Sequence, residues 1–376
     1  MASKFSFPTL IHFGPGVRKL VAEHLKQQGV KRPLIVTDKG LGELPILKEF
    51  AASLVGLNAR VYAGVFGNPV KKQVDEGVVA YNQHRADCVV GFGGGAALDV
   101  AKAVALMAVH DGSILEYAWD HPEVRPVLKP LPYFVALPTT SGTGSEVGRS
   151  SVISDDATHV KKVVFNPVLL AKAVFADPEL TLDLPPHVTA ATGMDALTHN
   201  VESYLSPEYH PLCDGIALEG ARIAAHAIDK AVASPRDIQA RSDMMMSSMM
   251  GAIAFQKDLG AVHSCAHALG TVVDMHHGLA NGIMIDHVMR FNLDTADVKM
   301  AELARVCGAG TTAMDFVEWL VALKARIHIP AKLGEKGVTR DHLAKLVDIA
   351  VADTCHKTNC KPVTAQDFER IFSSAI

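Results

Sequence analysis

The chain has 376 residues, 49% hydrophobic and 20% charged, with a formal net charge of −4. Its length exceeds one small core and predicts two domains of roughly 150 to 200 residues. The composition is that of an ordinary globular protein, and the charge offers no basic footprint for nucleic acid. The most apolar stretch, 88–109, is interrupted by Asp99 and Lys102, so no membrane span is expected. MASKFSFPTLIHFGPG has no apolar signal region, and six scattered cysteines form no disulfide framework. A reducing cytoplasm is the expected location.

In chain order, the first half alternates strand-like and helix-like segments. Strands are predicted at Arg32 to Thr37, Ala59 to Tyr62, Ala86 to Phe92 and Pro132 to Leu137. Helical patterns lie between them, at Leu47 to Leu57 and Lys71 to His84. Such alternation argues for a parallel sheet covered on both faces. From Pro186 onward β-branched runs are scarce, and helices are predicted at 187–205, 212–233, 236–255, 260–270, 297–306 and 312–325. The run MMMSSMM at 244–250 reads as a buried helix, because methionine fills irregular cores. The layout is an α/β domain over 1–183 followed by an all-α domain over 184–376.

GFGGGAALDVAKAVAL, at 91–106, follows a strand and opens a helix. Gly91, Gly93 and Ala96 match G-x-G-x-x-A, a turn that lets backbone approach a diphosphate at a helix N-terminus. The same pattern also serves as a plain tight turn. The usual acidic partner about 20 residues downstream is not well placed, since Asp111 sits in a turn. Asp38, at the end of the first predicted strand, suits a ribose better in kind. A second loop, PTTSGTGSEVGRSS at 138–151, adds hydroxyls and glycines.

TAATGMDALTHNVESYL places Asp195, His199 and Glu202 at i, i+4 and i+7, on one helix face. A carboxylate and an imidazole there could reach one ion, or could only hydrogen-bond each other. His263 and His267 repeat the i, i+4 spacing in HSCAHALGTVVDMHHGLAN. His277 would stand ~21 Å from His263 along an unbroken helix at ~1.5 Å per residue. Both can serve one ion only if the helix ends near Gly270 and the chain turns back. An Asp with several His suits Fe2+ or Zn2+. Cys355, His356 and Cys360 have no partner cluster and are expected in a surface loop.

Together these segments resemble the iron-containing (group III) alcohol dehydrogenase family over essentially the whole chain. The resemblance rests on GFGGGAALDVAKA, LPTTSGTGSEV, ADPELT, ATGMDALTHNVESYLS and GAIAFQKDLGAVHSCAHALGTVVDMHHGLANGI. It implies a dehydroquinate synthase-like fold, NAD as cofactor, Fe2+ or Zn2+ as metal, and a homodimer. It also implies metal ligation by Asp195, His199, His263 and His277, with His267 as the proton relay and His276 without a role. The implied cofactor contacts are Asp38, Asn68, Gly94, Gly95, Thr139, Thr140 and Lys162, with Asp99 close by. A carboxylate at Asp38 would accept from a ribose 2′-OH and repel a 2′-phosphate, favouring NAD over NADP.

The activity implied is NAD-linked interconversion of a short-chain primary alcohol and its aldehyde. Where many relatives read SEVT, this chain has SEVGRSS, which puts Gly148 and Arg149 beside the expected substrate region. Arg149 could steer a distal carboxylate, favouring an ω-hydroxy acid such as 4-hydroxybutyrate, or could point to solvent. Cys360, in TNCKP where relatives usually have TNPR, leaves the chemistry untouched. A glycerol or diol dehydrogenase, and a non-catalytic nucleotide- or metal-binding protein of the same fold, are the rival readings.

Overall fold

Runs such as PLIVTD and CVVGFG are apolar at nearly every position, the pattern of strands covered on both faces rather than one. The computed structural model describes residues 7, 9–158 and 160–376; residues 1–6, the start of the stretch read for a signal, lie outside the described residues. Two units are formed. One comprises Phe7–Thr140 with Ser145–Thr181, the other Ser141–Gly144 with Leu182–Ile376.

The first unit runs β1 (Leu10–Phe13), α1 (Val21–Gln27), β2 (Pro33–Asp38), α2 (Lys39–Glu43), α3 (Pro45–Ser53), β3 (Arg60–Val65), α4 (Lys71–His84), β4 (Cys88–Gly93) and α5 (Gly95–Met107). It continues through β5 (Tyr133–Pro138), β6 (Ser150–Ser154), β7 (Lys161–Phe165) and β8 (Ala173–Ala176). Six strands form one sheet in the order β1-β8-β5-β4-β2-β3, each pairing parallel. Ile35, Val90, Phe92, Val135, Leu137 and Phe175 fill its core. Because β2, β4 and β5 are neighbours, their carboxyl ends at Asp38, Gly93 and Pro138 open on one edge. β6 and β7 form a separate antiparallel ribbon.

The second unit contains α6 (Pro186–Leu205), α7 (Pro211–Ala233), α8 (Ile238–Ala254), α9 (Ala261–Val273), α10 (His277–Asn292), α11 (Asp297–Val306), α12 (Ala313–Arg326), α13 (Leu343–Ala352) and α14 (Ala365–Ala375). α6 is buried almost all round and forms the centre of this core. Met244, Met245 and Met249 are buried in α8 as their composition suggests. No helix among the described residues is long and apolar enough to cross a membrane.

The structure adds β1, β6, β7, β8, α1, α2, α10, α13 and α14 to the elements predicted from sequence. It also moves the break expected near Gly270. Helix α9 runs on through Thr271 and Val272 to Val273, and reversal falls on Asp274 at φ 50°. Aspartate is one of the few side chains that tolerates this left-handed conformation. His276 then caps α10, its Nδ1 accepting the Leu279 N–H at 3.4 Å, so His277 is the first helical residue.

Candidate functional site

The metal candidates all lie in the helical unit. Asp195 and His199 sit one turn apart on α6, His263 on α9, and His277 at the start of α10. Gly278 makes the approach of α10 to α6 possible. A Cβ there would lie 2.3 Å from the Ala191 carbonyl oxygen and 3.2 Å from Asp195 Cβ. Only glycine lets the His277 turn press this closely on the Asp195 turn.

Asp195, His263 and His277 each offer a donor atom within 4.8 Å of the others. Asp195 Oδ1 is 3.9 Å from His263 Nε2 and 3.5 Å from His277 Nε2. The Asn281 side-chain nitrogen donates to Asp195 Oδ1 at 2.7 Å and lies 3.3 and 3.2 Å from the same two imidazole nitrogens. His199 is not in this tight set; its ring stacks on that of His263 with centroids 4.6 Å apart. The structure thus brings three of the four expected ligands together and places the fourth alongside.

The electrostatics suit a cation. Asp195 is 2% exposed, and no lysine or arginine pairs with it among the described residues. A buried carboxylate without a cation is costly, and a divalent ion among these donors would remove that cost. Burial lowers His199 to about 4, which keeps its imidazole neutral as ligation requires. His263 is held by Glu202, whose carboxylate faces Nδ1 at 2.6 Å and accepts the Val262 N–H at 2.6 Å. Burial works against charge on His263, but the hydrogen bond and charge of Glu202 outweigh it and raise its pKa. With Nδ1 committed to Glu202, the Nε2 lone pair faces Asp195, the arrangement metal-ligating histidines use.

His267 lies one turn beyond His263, its ring stacked on His277 with centroids 5.3 Å apart and planes 18° apart. Its Nδ1 faces Asp353 Oδ2 at 2.8 Å, and among the described residues its Nε2 has no hydrogen-bond partner. Cys355 lies beside this pair and is half-buried, which corrects the surface-loop expectation for the Cys355–Cys360 segment. His356 belongs to the same packed turn, its N–H donating to Ser264 Oγ at 2.9 Å. The signal was missed because it depends on contacts across 86 residues of sequence.

The cofactor candidates belong to the α/β unit and collect where strands end. Asp38 closes β2, and its Oδ1 accepts the Leu41 N–H at 2.8 Å. Gly93 closes β4 at φ 154°, where a Cβ would stand 2.6 Å from Ala97 Cβ and 3.5 Å from Asp38 Oδ2. Gly94 caps α5, Gly95 begins it, and Thr139 donates its N–H to the Gly93 carbonyl at 3.0 Å. A Cβ on Gly94 would meet Thr140 at 3.2 Å. Asp38, Gly94, Gly95, Thr139 and Thr140 therefore share the carboxyl edge of adjacent strands, where open α/β sheets bind ligands. Asn68 follows β3 on an exposed loop.

Asp99 and Lys162, both expected near the cofactor, are engaged by side chains of the protein. Asp99 accepts from Ser145 Oγ at 2.6 Å and from the Val152 N–H at 2.9 Å, bracketing α5 to β6. Lys162 pairs with Asp120 at 2.7 Å. Arg149 places its guanidinium 5.5 Å from the centroid of the half-exposed Phe165 ring. Sequence reasoning placed Glu202 on the correct face without its role, and it missed Asn281 and Asp353. Asn281, four residues after His277, was within reach of a spacing argument.

Residues 8–178 match the family described as iron-containing alcohol dehydrogenase, and residues 189–376 match its C-terminal counterpart. A 4-hydroxybutyrate dehydrogenase from Cupriavidus necator is 37% identical, covering 98% of each chain. An NAD-dependent methanol dehydrogenase from Bacillus methanolicus is 34% identical and covers 100% of both. The crystal structure of a 1,3-propanediol oxidoreductase superposes with a TM-score of 0.95 at 33% identity, covering 100% of both chains. The chain belongs to the iron-containing alcohol dehydrogenase family. It is an alcohol dehydrogenase, and the cofactors of that family are NAD(H) and iron.

Proposed function

We propose that this protein oxidises a short-chain primary alcohol to its aldehyde with NAD, and runs the reverse reaction, with ω-hydroxy acids such as 4-hydroxybutyrate among its substrates. The observation that carries the reading is the convergence of Asp195, His263 and His277 around one point. Asp195, His263 and His277, with His199 beside them, would hold Fe2+ or Zn2+. The ion supplies Lewis-acid stabilisation of an alkoxide, and NAD accepts the hydride. Glu202 fixes the ring of His263, and Asn281 donates to Asp195. His267 takes up the alcohol proton at Nε2, its Nδ1–H being held by Asp353.

At the strand ends, Asp38 selects NAD by accepting from a ribose hydroxyl, while Gly94, Gly95, Thr139 and Thr140 offer N–H and hydroxyl groups to the diphosphate. Asn68 and Lys162 are further contacts, the latter on release from Asp120. Asp99 acts from behind by holding the loop that contains Ser145. The ω-hydroxy acid preference is supported by the 37% identity to a 4-hydroxybutyrate dehydrogenase and by Arg149, which has no carboxylate partner among the described residues. Six free cysteines support a reducing cytoplasm, and a homodimer is the proposed assembly.

The test is metal analysis after anaerobic purification, paired with NADH absorbance on a panel of 1-butanol, 4-hydroxybutyrate, 1,3-propanediol and glycerol with NAD and NADP. Bound iron or zinc and turnover with NAD are expected. Absence of turnover would leave a binding protein, and preference for NADP would remove the role of Asp38. For Arg149→Ala, a loss of kcat/KM confined to 4-hydroxybutyrate is expected; equal losses on 1-butanol would end that assignment.

A further inference from the structure

The C-terminal turn that follows α13 packs against the catalytic face of α9. Asp353 ends α13 and is half-buried, and three groups donate to it. These are His267 Nδ1 to Oδ2 at 2.8 Å, Ser264 Oγ to Oδ1 at 2.7 Å, and the Cys355 N–H to Oδ1 at 2.9 Å. Ser264 Oγ in turn accepts the His356 N–H at 2.9 Å. The carboxylate is therefore fixed from two backbone segments before it meets the imidazole.

An imidazole that donates from Nδ1 to a carboxylate carries its lone pair on Nε2, and that choice of tautomer decides which nitrogen can accept a proton. Among the described residues no other group hydrogen-bonds the His267 imidazole, and its ring otherwise stacks on His277 and makes an edge contact with His263. Stacking restrains the ring plane but does not distinguish a ring from its flipped form. Among the described residues the hydrogen bond to Asp353 makes that distinction.

We infer that Asp353 is a positioning residue for the alcohol dehydrogenase reaction, fixing the tautomer and ring orientation of His267 through the brace formed by Ser264 and Cys355. The inference rests on the proposed role of His267 in taking the alcohol proton. Asp353 does not touch the reacting atoms. Its carboxylate holds Nδ1–H throughout, while the proton from the alcohol arrives at Nε2 and leaves from there. The brace also explains why a turn so distant in sequence belongs with the site. Ser264 follows a proposed metal ligand directly, so the same contacts tie proton handling to the helix that bears His263.

The experiment is a double-mutant cycle of Asp353→Asn and His267→Ala on the metal-loaded enzyme, with Asp353→Glu as the conservative variant. Asp353→Asn should lower kcat roughly 10- to 100-fold, the range typical for loss of a residue that orients a site imidazole. KM for alcohol and NAD should stay within about two-fold, with metal content unchanged, because the lost interaction acts on the step and not on binding. In the His267→Ala background Asp353→Asn should cost nothing more, whereas with His267 present Asp353→Glu should retain most of the rate that Asp353→Asn loses. Equal kcat losses from Asp353→Asn with and without His267 would overturn the inference. So would metal lost in proportion to activity, which would mark Asp353 as a ligand or a structural group.

If His267→Ala keeps full kcat, the role of His267 itself fails. If His267→Ala is impaired while Asp353→Asn is not, only the positioning inference fails. Should Asp353→Asn not fold, Ser264→Ala enters the same cycle. It removes one brace and leaves the His267–Asp353 pair, so it should give a smaller kcat loss that also vanishes with His267→Ala. A loss that persists there would overturn the inference.

Discussion

Glu202 accepts from the Val262 N–H and faces Nδ1 of His263 at 2.6 Å, so it controls a metal ligand without reaching the ion's place. Glu202→Gln keeps the shape, but its amide NH2 cannot accept from both groups and one contact is lost. Metal affinity, measured by competition with a chelator, should fall ~10- to 100-fold. An unchanged affinity would mean that packing alone orients His263. Glu146 raises a different question, because its Oε1 is buried without a hydrogen-bond partner. Burial lifts its carboxyl from 4.5 to about 7, against the opposing charge of Lys102. The folded state binds this proton more tightly than the unfolded one. Stability from this group is thus fully present below about pH 4.5 and is lost as pH rises through 7. Glu146→Gln should remove that dependence, a difference of about 3 kcal/mol between pH 4.5 and 8 by chemical denaturation. Identical pH slopes in the two proteins would show that Glu146 is ionised and satisfied in solution.

Among the elements, the junction between α9 and α10 decides whether a site exists at all. Gly278→Ala would put a methyl group 2.3 Å from the Ala191 carbonyl, so α10 must move off α6. A cost of ~1 to 3 kcal/mol is expected from overpacking, together with a drop in bound metal per protomer. Full metal content in a destabilised variant would separate packing from ligation. This junction also marks how far the sequence was legible. The i, i+4 spacings identified α6 and α9, and distance along a helix required a turn before His277. The turn's place was not legible, since Thr271, Val272 and Val273 stay helical through packing and Asp274 takes the left-handed residue's role. α10 went unseen because Asn281, Gly282, Asp286 and His287 blur its apolar period, although most of these are buried by tertiary contacts. α14 is different: Phe368, Ile371, Phe372 and Ala375 do follow a helical period, so its signal was present in the sequence. β1 and β8 are four-residue strands, too short for alternation to declare them. The Asp353 contact with His267 had no local signal of any kind.

For the whole molecule, two units with separate cores imply that each responds to its own ligand. The metal donors Asp195, His199, His263 and His277 belong to the helical unit, whereas Asp38, Gly94, Gly95, Thr139 and Thr140 belong to the α/β unit. A ligand that binds only the folded form stabilises by RT ln(1 + [L]/Kd), about 2.7 kcal/mol at 100 Kd. Calorimetry should therefore resolve two transitions, since chains of several domains need not melt as one. Removing the metal with a chelator should lower the transition of the helical unit by several degrees, because the Asp195 carboxylate is left buried without a cation. Restoring iron or zinc should reverse the shift. Adding NAD to the metal-free protein should raise the other transition while leaving the first near its apo value. Limited proteolysis followed by mass spectrometry during the melt would assign each transition to its unit. A single transition that moves equally with chelator and with NAD would show that the units unfold together, and that the metal's contribution is shared by the whole chain.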